Sequence, residues 1–119
     1  ELWDWGIPTA QSIVECSQKT KLKVIASGGL RSGYDAAKAI SLGASFGGAA
    51  LPFLKKVNSG GSKALSSELR VWKQELKSAM FLSGSKNIGA LARAPVIISG
   101  RTALALRARG IEPKKFAAR

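Results

Sequence analysis

The 119-residue chain is 45% hydrophobic and 22% charged, with one cysteine, no histidine and a formal net charge of +12. That balance describes a core-forming domain rather than a disordered chain. It excludes an internal disulfide, a Cys/His zinc site, and any Ser-His-Asp or Cys-His catalytic set within these residues.

In chain order, residues 8–19 open with Pro8 at a first-turn position and carry Ile13 and Val14, which predicts a helix. Trp3 and Trp5, just before it, are expected either over the mouth of a barrel or against a neighbouring helix or subunit. Residues 23–27 are a short apolar, partly β-branched run ended by Gly28 and Gly29, which predicts a buried strand. A helix is expected over 34–42, with Ser32 as N-cap, Asp35 at its positive end and Gly43 as its stop. A second strand, rich in Gly and Ala, is expected over 44–50.

The second half changes character. After Pro52, Phe53 and Leu54, the Gly/Ser-rich residues 58–62 read as a connector. Leu65, Leu69, Trp72, Leu76, Ala79 and Met80 then recur at helical spacing, predicting an amphipathic helix over 63–82. The turn at 83–86 is expected to stop that helix and cap the next, near 86–92. An apolar run at 95–98 and a helix near 101–109 complete the pattern.

Strand, helix and strand at this length make a parallel βαβ unit. Two such βα cycles leave sheet edges open and a barrel wall absent, so the pattern predicts further polypeptide packed against this one. The start at Glu1, without an initiator Met, is expected from a processed terminus or from a piece of a longer protein. No run approaches the roughly 18 apolar residues of a membrane span, so no membrane partner is expected. Cys16 reads as a structural thiol of an intracellular, cytoplasmic protein.

The stretch from Ser27 to Gly33 lies between a predicted strand and a predicted helix. Phosphate groups need converging backbone N–H donors that a Cβ would obstruct, and glycine removes that obstruction. The helix dipole and the Arg31 guanidinium add positive charge. A second bare strand end, Gly47 to Pro52, follows one βα cycle later. In a parallel sheet the two ends lie side by side, as in the barrels that hold phosphate after their last two strands.

At these residues the chain resembles type 2 isopentenyl diphosphate isomerase, an FMN-dependent (β/α)8 barrel. The phrases that carry the likeness are DWGIPTAQSI at 4–13, VIASGGLRSGYDAAKAISLGA at 24–44, AALPFL at 49–54, ELKSAMFLSGSKNIGAL at 75–91 and RGI at 109–111. The resemblance implies an α/β fold. All of residues 1–119 would then be the C-terminal part of one (β/α)8 TIM barrel: its last two βα units plus C-terminal helices. It also implies that Gly29, Leu30 and Arg31 of the first loop, with Ala50 and Leu51 of the second, hold the FMN phosphate through backbone amides. FMN-dependent oxidases usually carry Gly-Arg-Pro where this chain has Ala50-Leu51-Pro52, and a backbone contact survives that change where a side-chain charge does not.

The implied reaction interconverts isopentenyl and dimethylallyl diphosphate with reduced FMN, NADPH as reductant and Mg²⁺ on the diphosphate. The implied partners are that small diphosphate substrate, the rest of the barrel, and further copies in a tetramer or octamer. Substrate and metal residues would lie upstream, so no catalytic or metal residue is assigned here, and these residues alone are expected to be inactive. Two alternatives compete. A 2-hydroxy-acid oxidase on the same barrel needs an active-site histidine before strand 7, and the chain has none. A small basic nucleic-acid-binding module would use the cations, including the cluster of Arg101, Arg107, Arg109, Lys114, Lys115 and Arg119. The aromatic residues do not interleave with basic ones as a stacking platform requires, so no nucleic-acid partner is expected. Much of the charge is instead expected on solvated helix faces and a basic tail.

Overall fold

The computed structural model describes residues 5–119; Trp3 and Asp4 lie outside the described residues. Helix α1 spans Thr9–Lys19 and leads into strand β1, Ile25–Ala26. Helix α2, Gly33–Ser41, crosses to strand β2, Phe46–Gly47, which pairs parallel to β1 with Ile25 opposite Phe46 and Ala26 opposite Gly47. This is the expected βαβ unit. Its strands are shorter than the predicted 23–27 and 44–50, because β1 and β2 have only each other to pair with among the described residues.

The capping chemistry of α2 follows the sequence. The Ser32 Oγ accepts from the Asp35 N–H at 3.1 Å, and the Asp35 carboxylate pairs with Lys38 Nζ at 3.4 Å. Helix α3 departs from expectation: it runs from Leu51 to Leu82, beginning well before the predicted position. The expected connector at 58–62 is instead a two-residue kink, Gly60 and Gly61, with Gly61 at φ 63° where glycine is favoured. Phe53 meets Trp72 with ring centroids 4.8 Å apart, and Lys56 Nζ reaches Glu68 Oε2 at 3.0 Å. These pairs close toward the glycines, so the two arms of α3 fold back antiparallel on each other.

Helix α3 ends at Leu82 with Ser83 as its C-cap, but the next cap lies beyond the predicted turn: Asn87 Oδ1 accepts from Ala90 N–H at 2.8 Å and starts α4, Ile88–Leu91. Helix α5 spans Gly100–Ala108, and a short α6, Lys114–Ala117, was not anticipated. Val96 N–H donates to Phe116 O at 2.8 Å, tying the apolar run at 95–98 to α6.

One core gathers Ile13, Val14, Leu30, Ala39, Leu106 and Phe116; a second joins Ala37, Ile40 and Leu91 to Leu76, Ala79 and Met80 of α3. Leu106 is fully buried. Leu106→Ala is therefore expected to lower stability by about 3 kcal/mol, read as a lower urea midpoint at unchanged slope.

The basic C-terminus is not simply a solvated tail. Arg119 donates to the carbonyls of Ser41 and Ala92 at 2.8 and 2.9 Å and stacks on Phe116, while Arg109 Nε pairs with Glu15 at 3.0 Å. Cys16 is exposed on α1 among the described residues. Trp5 is 84% exposed, so no helix among the described residues covers it. No helix among the described residues is long and apolar enough to cross a membrane.

Candidate functional site: a cleft between two strand ends

Parallel pairing brings the chain leaving β1 beside the chain leaving β2. Residues 27–31 and 48–52 accordingly line one cleft of about 220 Å³. All five residues expected to hold phosphate, Gly29, Leu30, Arg31, Ala50 and Leu51, lie on its wall.

Gly28 and Gly29 turn the chain with φ of 88° and 86°, a region that side chains on Cβ disfavour. The Thr9 hydroxyl donates to the Gly28 carbonyl at 2.7 Å, which fixes the turn against α1. A Cβ added at Gly29 would meet nothing within 4 Å, so the bareness at that position serves open space and not packing. Leu30 is the exception on the wall: its side chain is buried in the core, leaving its backbone to face the cleft.

The backbone donors divide unequally. The Arg31 N–H donates to Asp35 Oδ2 at 3.1 Å, and the Gly33 N–H to Glu75 Oε2 at 2.7 Å. With the Asp35 N–H spent on Ser32, the start of α2 has largely committed its donors to protein oxygens. By contrast, among the described residues the N–H groups of Gly29, Leu30, Ala50 and Leu51 make no hydrogen bond. The positive helix end open to the cleft is therefore that of α3, whose first turn begins at Leu51 and lacks a side-chain cap. Sequence reasoning assigned that part to α2. It missed Glu75, whose only signal was a carboxylate on the apolar-striped helix.

The Arg31 side chain is exposed, and its guanidinium has no carboxylate partner among the described residues. Burial pushes the Asp35 carboxyl upward, but hydrogen bonds from the Arg31 N–H and Ser32, with Lys38 nearby, outweigh it and hold the group below its ordinary value. A carboxylate thus stands behind the first loop as an acceptor and rigidifies it. Four unspent amides, an exposed guanidinium and an open helix start suit a small, multiply charged oxyanion. They offer no nucleophile or general base.

The FMN-dependent dehydrogenase family matches residues 3–98. The isopentenyl-diphosphate delta-isomerase of Methanothermobacter thermautotrophicus is 48% identical over 117 residues, covering 98% of this chain and 33% of the relative. The enzyme of the same name from Methanothrix thermoacetophila is 47% identical over 98% of this chain and 32% of its own length. That of Archaeoglobus fulgidus is 50% identical over 85% of this chain and 28% of its own. The chain spans about a third of the length of these curated relatives.

Proposed function

Because this chain belongs to the FMN-dependent dehydrogenase family, we propose that it forms the FMN-phosphate end of a (β/α)8-barrel isomerase that interconverts isopentenyl and dimethylallyl diphosphate. The observation that carries this reading is the single cleft where two adjacent strand ends present unspent amides. The 48% identity to an isopentenyl-diphosphate delta-isomerase supports the reaction assigned.

In this reading residues 1–119 are the C-terminal portion of one barrel domain, and polypeptide outside them supplies the remaining strands. That polypeptide would pair with the open edges of β1 and β2 and cover the sheet face on which Ile25 and Phe46 are 65% and 59% exposed. The amides of Gly29 and Leu30, those of Ala50 and Leu51, and the Arg31 guanidinium hold the phosphate of FMN. FMN, when bound and reduced, supplies acid/base chemistry at the allylic carbons, which these side chains do not. The chain's own task is to anchor and orient. In this reading the Mg²⁺ that neutralises the diphosphate is held by residues outside this chain. NADPH as reductant, a homo-oligomer and a cytoplasmic setting complete the proposal.

The family's description as a dehydrogenase favours a competing reading, oxidation of a 2-hydroxy acid. The lack of histidine in this chain counts against it. The test is to incubate the complete protein with reduced FMN and isopentenyl diphosphate and, separately, with oxidised FMN and a 2-hydroxy acid. Formation of dimethylallyl diphosphate is expected, and oxidation of the hydroxy acid without isomerisation would overturn the assignment. In the same protein Arg31→Ala is expected to raise the FMN Kd about tenfold.

A further inference from the structure

We infer that Glu75 is a positioning residue for the phosphate cleft: its carboxylate holds the first loop in register with the second. The inference rests on the phosphate-site reading above and concerns a residue outside the cleft wall.

The argument begins with the fold of α3. Its two arms pair Phe53 with Trp72 and Lys56 with Glu68, across the kink at Gly60 and Gly61. Carried one turn further from the kink, the same antiparallel pairing brings Glu75 level with Ala50, where α3 starts and the second loop ends. From there Glu75 Oε2 accepts the Gly33 N–H at 2.7 Å. Gly33 is buried, and a Cβ on it would collide with the Trp72 carbonyl and come within 2.9 Å of Leu76 N. The end of the first loop is therefore pressed directly onto the α3 backbone and pinned there by one charged acceptor.

The consequence is a rigid link between the two loops. One arm of α3 begins with the amides of the second loop, and the other arm grips the last residue of the first. Asp35 completes the restraint from within α2 by accepting the Arg31 N–H. With both ends of residues 31–33 tied, Gly29 and Leu30 are held on the cleft wall, where their amides make no hydrogen bond among the described residues. Removing the Glu75 oxygen frees Gly33 and leaves a buried donor unsatisfied. The loop can then satisfy that donor by turning, which misaligns amides that must converge on one anion.

A structural glutamate and a positioning glutamate differ in which ligand they affect. The complete protein and its Glu75→Ala variant would be titrated with FMN and with riboflavin, which has the same ring and no phosphate. In the variant the FMN Kd is expected to rise about 20-fold while the riboflavin Kd moves less than about twofold. Glu75→Gln, which keeps an oxygen acceptor, should stay within about threefold of wild type for both ligands. Equal weakening of FMN and riboflavin, or unchanged FMN affinity in Glu75→Ala, would overturn the inference. If Glu75→Ala does not fold, Glu75→Asp takes its place, keeping the charge but withdrawing the oxygen by one methylene. A wild-type protein that binds both flavins equally tightly would instead remove the phosphate site itself, and this inference with it.

Discussion

Gly33→Ala is expected to abolish tight FMN binding and to lower stability by about 4 kcal/mol, the larger part from backbone collision. A Cβ at this position points into the Trp72 carbonyl and lies 2.8 Å from Glu75 Cβ. These are helix atoms, which cannot swing aside as the end of a flexible side chain does. α2 must therefore lift away from α3. That movement breaks the Gly33–Glu75 hydrogen bond of 2.7 Å and loosens Ala37 and Ile40 from Leu76, Ala79 and Met80. Thermal unfolding read by circular dichroism, alongside an FMN titration, checks both halves. A variant with wild-type melting temperature and wild-type FMN affinity would show that α2 and α3 are not in the contact described.

Gly29→Asp should separate binding from folding. Position 29 sits at φ 86° with open space where a Cβ would go. Asp and Asn visit that backbone region more readily than other side chains, so the cost to stability should be about 1 kcal/mol for either. The new carboxylate, however, stands at the mouth of the cleft against a phosphate carrying up to two negative charges. At separations of about 6 Å and intermediate polarity, repulsion weakens binding on the order of 100-fold, about 2.7 kcal/mol. Gly29→Asn has the same shape without the charge and should lose only a few-fold. Raising salt should narrow the gap between the two variants, because the cleft is open to solvent. Equal losses for Asp and Asn would show that shape, not charge, governs this wall.

Some of this was legible in local sequence. Ser32 and Asp35 sit where a cap and a first-turn carboxylate belong, and Gly28 and Gly29 where the chain must turn. The spacing of two bare strand ends, one βα cycle apart, was enough to place Gly29, Leu30, Arg31, Ala50 and Leu51 together, because parallel pairing leaves them no other neighbour. These are short-range rules, in which a residue's chemistry acts on backbone within a few positions of itself.

The start of α3 was different. Residues 51–59 carry no helical stripe of their own beyond Leu51, Leu54 and Val57, and the glycines after them resemble a linker. They are held helical by contacts across the kink, between Phe53 and Trp72 and between Lys56 and Glu68, which no local window contains.

The sequence by itself determined the βαβ unit, its caps and the bareness of two strand ends, since backbone geometry and side-chain volume act locally. Only the tertiary structure decided what that bareness is for. At Gly29 it borders open space, while at Gly33 it admits a helix backbone, a contact that exists only once α3 folds back against α2. It likewise decided which helix offers its positive end, because a carboxylate from far along the chain had first to occupy the other one.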